Sequence, residues 1–400
     1  MDNISHAVFG SSIIHALWGK KYGNRPAIYA LLASNIPDID IVVRAIPWVN
    51  ALRASLFHRT MTHSLLFVLI LAPMLWWCVS RFMIWIQKRA KRKILTQKWE
   101  TWDHGWKDIT FEDSKRADHY IQSDHKKSLI ARKDWTLITL VALLSHIFLD
   151  WCTTYGVWLL WPFVDFGFEA NIIAVVDMFF TLPLLAIIIR YIIAHKTPEK
   201  ASTKRRFLWV WFAACYLITM TWVQQYFKHS IKTDMQQQWV SYTRVFVWAQ
   251  ILQPFLRYGI VELPDGSYKL TYRSVFDTTK APYENVYGYH ELLAWRAAKI
   301  PSSEFTNFMD SLMPQKPLIE KLITRAHGWY QVTQTPTWLL LQDMRFGRIL
   351  GRDNAYRGSW MFAYNIDSTT WMLTEWSWNR SFNQPFSLIW QKYWQRVWGQ

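Results

Sequence analysis

Residues 136–162 read TLITLVALLSHIFLDWCTTYGVWLLWP, an apolar stretch with His146 and Asp150 in its middle. A run of this length and hydrophobicity can cross a bilayer as a helix. The two ionisable residues are four positions apart, so a helix places both side chains on one face. Such residues are costly in an apolar helix and usually mark a functional site. A divalent metal ion would compensate both groups, and the alternative is a buried His–Asp hydrogen bond that joins helices.

The 400-residue chain is basic, with a formal net charge of +16. Clusters of Lys and Arg follow apolar segments at residues 88–93 and 196–206. Positive charge beside membrane spans is retained on the cytoplasmic side, so these clusters indicate membrane orientation. We therefore expect contact with membrane lipids and no direct binding of nucleic acid. The three cysteines form no CxxC motif, which argues against a disulfide framework or a cysteine zinc site.

Apolar segments predict four membrane spans, which are Leu65 to about Trp85, Leu137 to about Trp161, Ile172 to Ile193 and Phe207 to about Tyr226. With both basic clusters in the cytoplasm, the first and third spans run inward and the second and fourth run outward. The predicted fold class is mainly α, a multi-spanning membrane helical bundle at residues 1–227. Within it, a charged insert occupies about residues 88–134.

Residues 228–400 predict an extramembrane α+β domain that is rich in β-structure and in Trp. Alternating runs from Gly259 to Ser274, around Pro264-Asp265-Gly266, predict a β-hairpin. More strands are expected between Met344 and Asp367, around Gly347, Gly351 and Gly358. Pro317 to Arg325 predicts a short helix. At the other end of the chain, Ile4 to Trp18 predicts a helix that is too short and too polar to span a membrane.

Polar residues interrupt the apolar half of the chain, and they are potential metal ligands. They are His6, Asp38, Asp40, His58, His63, His146, Asp150 and Asp177. The charge bias places the polar group around His58 and His63, the end of the second span and Asp177 at one non-cytoplasmic face, which predicts a single site. Nitrogen and oxygen ligands suit zinc or a similar divalent ion. Two close ions would suit phosphoester cleavage.

Simpler explanations exist for several of these groups. Pro37 breaks or kinks the helix that begins at Ala27, and Asp38 and Asp40 then either share a metal or form a solvated acid pair. His58, Arg59 and His63 either belong to the site or anchor the chain at headgroup level; in the site, Arg59 would bind a phosphate or carboxylate. Haem ligation is a weaker interpretation, because the accompanying carboxylates suit hard or borderline ions.

Five motifs occur in order along the apolar half. They are SHxxxG at Ser5 to Gly10, PDID at Pro37 to Asp40, HRxxTHS at His58 to Ser64, SHxxLDxxTTYG at Ser145 to Gly156, and WPF at Trp161 to Phe163. Together, over about the first 195 residues, they resemble the YdjM-like family of inner-membrane metal-dependent hydrolases. The resemblance implies a multi-pass protein of the bacterial inner membrane.

The resemblance also implies a set of ligands. The family is distantly similar to zinc-dependent phospholipase C, whose metals are bound by an Asp, a His and a later His-x-x-x-Asp on one helix. The corresponding residues are Asp38 or Asp40, His63, His146 and Asp150, with His6 as a ligand near the N-terminus. The implied metal is zinc, with manganese as an alternative. Family members are described as binding the LexA repressor, so a LexA-type repressor is a partner implied by resemblance only.

The resulting prediction is an enzyme, a membrane-bound metal-dependent hydrolase of a phosphoester such as a lipid or envelope precursor. Its site lies at the non-cytoplasmic face, with the C-terminal domain in the periplasm. Asp40 or Asp177 would act as general base, and His58 and Arg59 would bind the anionic group of the substrate. The alternative is a non-enzymatic membrane protein with a structural or sensing metal site that docks a protein such as a repressor. An open coordination position would favour catalysis.

Overall fold

A computed structural model describes residues 1–40, 58–78, 81, 132–193, 203–279, 281–286, 316–334, 338–348, 360–367, 373–375 and 386–399. The helices are α1 (Asn3–Tyr22), α2 (Arg25–Ala33), α3 (Leu65–Cys78), α4 (Arg132–Trp151), α5 (Met178–Ile193), α6 (Thr203–Gln237), α7 (Lys316–Arg325) and α8 (Phe386–Val397). The strands are β1 (Arg244–Ala249), β2 (Leu256–Glu262), β3 (Tyr268–Ser274), β4 (Glu284–Val286), β5 (Tyr330–Gln334), β6 (Trp338–Arg348), β7 (Trp360–Asp367) and β8 (Leu373–Glu375). Nearly all of the predicted charged insert lies outside the described residues.

Helix α1 packs against α2, α4, α5 and α6 and so lies inside the N-terminal bundle. The Asp2 side chain caps its first turn by accepting a hydrogen bond from the Ser5 backbone N–H at 2.9 Å. Gly10 allows the close approach of its neighbours, because a Cβ atom there would collide with Ser34 Oγ and lie 2.8 Å from Ser145 Oγ. The predicted helix from Ile4 to Trp18 is confirmed, and tertiary packing buries its polar side chains.

Two helices are long and apolar enough, by length and composition, to cross a membrane: α4 over Lys133–Trp151 and α6 over Phe207–Gln237. Within the described residues, α3 and α5 are apolar but shorter. Large apolar side chains on the exposed faces of these four helices include Leu69, Ile70, Phe148, Leu182, Ile189, Trp211, Ile218 and Trp222. Contact with lipid would cover such an exterior.

Two of the predicted span limits are wrong. The second span was expected to continue to about Trp161, but α4 ends at Trp151. The Thr153 hydroxyl donates to the Asp150 carbonyl oxygen at 2.8 Å and closes the last turn, and Gly156 then adopts a left-handed backbone with φ 73°. The third span was expected to begin at Ile172, but α5 begins at Met178.

The C-terminal domain contains two four-stranded antiparallel sheets, ordered β1-β2-β3-β4 and β5-β6-β7-β8. Strands β2 and β3 confirm the predicted hairpin, and Gly266 occupies its turn with φ 82°. Strands β6 and β7 confirm the strands expected between Met344 and Asp367, while Gly351 and Gly358 lie outside the described residues. The predicted helix from Pro317 to Arg325 is α7.

Helix α6 joins the bundle to this domain without a break, so the predicted boundary at residues 227/228 falls inside one helix. Its C-terminal half packs Phe227, Ile231 and Met235 against β1 and β2. Gly259 on β2 allows this contact, because a Cβ atom there would lie 2.5 Å from Ile231 Cδ1. The helix therefore holds the first sheet against the end of the bundle.

Candidate metal centre

Four buried side chains from three parts of the chain meet inside the bundle, and we call them the inner group. Asp38 follows α2, His63 precedes α3, and His146 and Asp150 lie on α4. One potential ligand atom of each lies within 4.8 Å of those of the other three. The predicted pair on α4 is thus joined by two predicted ligands that are distant in sequence, and this buried group could hold a metal ion.

Hydrogen bonds determine which ring nitrogens of the inner group carry protons. His146 Nδ1 lies 2.6 Å from the Ser34 carbonyl oxygen, which can only accept, so this nitrogen is the donor. His63 Nδ1 lies 3.0 Å from Thr62 Oγ1, whose own proton goes to Asp40 Oδ2 at 2.7 Å. His63 Nδ1 is therefore also a donor. With Nδ1 as the donor, the neutral form of each ring presents an unprotonated Nε2 to the centre.

The two Nε2 atoms face each other at 3.0 Å, a distance at which two lone pairs repel. His63 Nε2 lies 3.4 Å from Asp38 Oδ1 and 3.2 Å from Asp150 Oδ2. These two carboxylate oxygens are buried and make no hydrogen bond with the described part of the chain. A proton on one Nε2 can be donated to only one of these neighbours at a time and leaves the others unsatisfied. A divalent ion would satisfy all four groups, and two imidazoles with two carboxylates are a donor set that suits zinc.

Nitrogen-bearing groups surround the other oxygen of Asp150. Arg59 Nη2 lies 3.0 Å from Asp150 Oδ1, His6 Nε2 lies 3.3 Å from it, and the Met1 amino group contacts it. His6 stacks on His146 with ring centroids 3.7 Å apart, and neither His6 nitrogen has a hydrogen-bond partner among the described residues. The predicted ligand His6 thus lies beside the inner group and outside its closest set.

Asp38, Asp40 and His58 form a second cluster of potential ligands, which we call the outer group and which shares Asp38 with the inner one. His58 Nδ1 lies 2.8 Å from Asp40 Oδ1, and its Nε2 lies 3.9 Å from Asp38 Oδ1. Burial, together with the charge of Arg59, lowers the pKa of His58 in spite of the hydrogen bond to Asp40. The ring is therefore neutral at pH 7.

The outer group opens into a cavity of about 270 Å³ between the bundle and the C-terminal domain. Its walls include Asp38, His58, Arg59, Tyr155 and Trp158 from the bundle, and Leu322, Arg325, Asp343, Arg345, Phe346 and Tyr364 from the C-terminal domain. Asp38 and His58 thus reach the cavity, whereas His63, His146 and Asp150 are fully buried. Sequence reasoning missed the contribution of the C-terminal domain, because its pattern indicates only strands and a helix.

Asp177 does not join this site, contrary to the prediction. Its Oδ1 accepts hydrogen bonds from the backbone N–H groups of Phe179 and Phe180 at 3.1 and 3.2 Å, and so caps α5. Its Oδ2 accepts a hydrogen bond from the Tyr216 hydroxyl at 2.7 Å and joins α5 to α6. Both oxygens serve the helix bundle, which contradicts a general-base role for Asp177.

Thr62→Val is expected to weaken metal binding although it removes no ligand. The valine cannot accept a hydrogen bond from His63 Nδ1. The ring therefore loses the hydrogen bond that keeps the proton on Nδ1 and leaves Nε2 free to bind the metal. Such outer partners contribute about 10- to 100-fold in metal affinity. Titration of zinc against a competing chelator measures the change. Ser64→Ala is the control, because within the described residues the hydroxyl of Ser64 bonds Met61 and Phe67 of the same segment. Equal affinities for Thr62→Val and wild type would contradict the tautomer assigned to His63.

A comparison with protein families matches residues 1–230 to the family described as YdjM inner membrane protein. The match covers more than half of the 400 residues and contains every residue of the inner and outer groups. Comparisons with curated proteins and with solved structures found no match. The chain therefore belongs to the YdjM inner membrane protein family.

Proposed function

We propose that this protein is a multi-pass inner-membrane hydrolase that uses a divalent metal ion to cleave a phosphoester. The observation that carries the proposal is the pair of Nε2 atoms, of His63 and His146, which face each other between two buried carboxylates. Zinc fits this donor set best, and manganese is the alternative. A bound divalent ion would polarise a phosphoryl oxygen and lower the pKa of a coordinated water.

His58 and Asp40 of the outer group, together with Arg59, would supply the general base and the donors that bind the anionic group. Asp40 accepts a hydrogen bond from His58 Nδ1, which leaves Nε2 of the neutral ring unprotonated. This Nε2 would take a proton from the water that attacks phosphorus. The predicted general base Asp40 would then act through His58. Arg59 offers two buried donors, Nε and Nη1, which have no hydrogen-bond partner among the described residues. These donors would bind phosphoryl oxygens.

The proposed topology follows from the apolar helices. Helices α3 to α6 would cross the membrane, and the basic clusters at residues 88–93 and 196–206 would lie in the cytoplasm. The metal centre and the C-terminal domain would then lie at the periplasmic face. Because the apolar exteriors of these helices would face the bilayer, a lipid or an envelope precursor is the substrate class that we propose.

Hydrolysis of p-nitrophenyl phosphate, bis(p-nitrophenyl) phosphate and phospholipid vesicles by detergent-purified protein tests the proposal. Zinc-loaded wild type is expected to hydrolyse at least one of these esters, and EDTA treatment is expected to abolish the activity until zinc is restored. His58→Asn should lower kcat by about 10²- to 10⁴-fold, the usual contribution of a general base. His229→Asn, which changes an exposed histidine on α6, is the control. Metal-loaded protein that cleaves none of the three esters would contradict the proposal.

The second candidate function is a structural or sensing metal site in a non-enzymatic protein that docks a partner, for which the resemblance suggests a LexA-type repressor. Full burial of His63, His146 and Asp150 favours this candidate, because closed sites are typical of structural metals. X-ray absorption spectroscopy of the zinc-loaded protein separates the two functions. A four-ligand shell that phosphate leaves unchanged favours the structural site, and a shell that phosphate alters favours the hydrolase.

A further inference from the structure

Arg325 ends α7 and lines the cavity from the C-terminal domain. Its Nη2 donates a hydrogen bond to the His58 carbonyl oxygen at 2.6 Å, and its guanidinium lies 4.6 Å over the Trp158 ring. The C-terminal domain therefore contacts the segment that carries His58 and Arg59. This contact places a cation of one domain beside the candidate metal centre of the other.

The three arginines of the cavity wall differ in how their charge is balanced. Arg345 pairs with Asp343 at 2.9 Å and with Glu169 at 2.8 Å. Arg59 pairs with Asp150 through Nη2. Arg325 is the third arginine of the wall, so an anion in the cavity would lie beside the guanidinium groups of both Arg59 and Arg325.

The chemistry of the remaining wall suits a phosphoester. The Arg59 guanidinium lies 4.6 Å over the Tyr155 ring, and its buried Nε and Nη1 have no hydrogen-bond partner among the described residues. Guanidinium forks match the spacing of phosphoryl oxygens. Aromatic and apolar side chains, among them Trp158, Leu322 and Phe346, would face the organic part of the ester. A volume of about 270 Å³ is at the lower end for ligand pockets, so the cavity admits a headgroup and no entire lipid.

We propose that Arg325 and Arg59 together bind the phosphoryl group of the substrate, so that the C-terminal domain completes a phosphate-binding site that the bundle alone lacks. The identity of the bound group as a reacting ester rests on the proposed function. The anion site itself requires only the two arginines and the cavity. Through Arg325, the C-terminal domain would take a direct part in substrate binding.

Calorimetric titration of inorganic phosphate into the full-length protein in detergent tests this inference, in both metal-free and zinc-loaded forms. Arg325→Gln is expected to weaken phosphate binding by about 10- to 100-fold in both forms, as for a lost hydrogen bond to a charged group. Arg325→Lys is expected to be intermediate, because it keeps the charge and loses the fork. Lys321→Gln removes one charge from the same helix outside the cavity wall and is expected to bind phosphate as wild type does.

Zinc content and melting temperature, measured on the same samples, separate binding from structure. Weaker phosphate binding by Arg325→Gln with unchanged zinc content and melting temperature supports the inference. Wild-type phosphate affinity in Arg325→Gln overturns it, and so does an equal loss in Lys321→Gln. If Arg325→Gln is unstable, Arg325→Lys decides, because it retains a donor for the His58 carbonyl oxygen. Weaker binding by that variant supports the inference, and unchanged binding overturns it.

Wild-type protein that binds phosphate but no zinc would contradict the proposed function and still support the anion site.

Discussion

His146→Ala is expected to reduce the zinc content of the purified protein to background. The wild type is expected to hold about one equivalent per chain, which is the occupancy of a single four-ligand site. The substitution removes one of the two facing Nε2 atoms and leaves a single imidazole in the inner group. It also removes the ring whose Nδ1 donates to the Ser34 carbonyl oxygen, so no second ligand is held in its place. Elemental analysis of wild type and variant, each reconstituted with zinc, measures the difference.

A second measurement strengthens this test. A ligand that binds only the folded state raises its stability, so EDTA should lower the melting temperature of the wild type and leave that of His146→Ala unchanged. His15→Ala is the matched control, because His15 is buried on α1 and lies 3.2 Å from Asn24 Oδ1, apart from the inner group. That variant should retain zinc. Full zinc content in His146→Ala would remove the basis of the proposed hydrolase.

His146 is a better position for this test than Asp150. Asp150 Oδ1 also balances Arg59 and contacts the Met1 amino group. Removing this carboxylate would leave buried positive charge uncompensated, which destabilises proteins by about 3–5 kcal/mol. Zinc loss in an Asp150 variant would therefore combine the loss of a ligand with a structural defect. Among the described residues, the carboxylates that His146 contacts are those of Asp38 and Asp150, both in the inner group.

Arg345→Ala is expected to destabilise the protein by about 3–5 kcal/mol, the usual effect of removing one partner of a buried ion pair. The Arg345 side chain is 4% exposed and contacts the carboxylates of Asp343 and Glu169. Its Nη1 also donates to the Thr154 carbonyl oxygen at 3.3 Å. The guanidinium thus joins β6 to the segment that follows α4. Without it, two carboxylates remain buried without their cation.

Unfolding of the purified variants in detergent, followed by tryptophan fluorescence, measures this loss. Arg396→Ala is the control, since the side chain of Arg396 is 24% exposed where it pairs with Asp277. Exposed or partly exposed pairs contribute about 0–1 kcal/mol, so a smaller effect is expected there. Equal destabilisation by the two substitutions would show that the Arg345 network does not hold the C-terminal domain on the bundle. Limited proteolysis should likewise cleave Arg345→Ala faster than wild type between the helical bundle and the C-terminal domain.

Local pattern was sufficient to predict several features. A spacing of four placed His146 and Asp150 on one helical face, because helical periodicity depends only on residues within one turn. The turn residues Pro264, Asp265 and Gly266 predicted the β-hairpin for the same reason, since turn chemistry is local. Charge bias predicted that His63 lies with the α4 pair. Asp38 and Asp40 were both candidates, and the family resemblance implied one of them as a ligand. Of these predicted ligands, His63 and Asp38 belong to the inner group.

Other features depended on contacts between residues far apart in the chain. An acidic residue before an apolar run fits either a site carboxylate or a helix cap, and Asp177 became a cap because Phe179, Phe180 and Tyr216 donate to it. The roles of Arg325 and Arg345 depend on the docking of the C-terminal domain beside His58 and Glu169. Periodicity records which residues share a face of one element. Whether a buried charge is balanced by an ion pair, a helix end or a ligand depends on the neighbouring elements, and only tertiary packing brings those together.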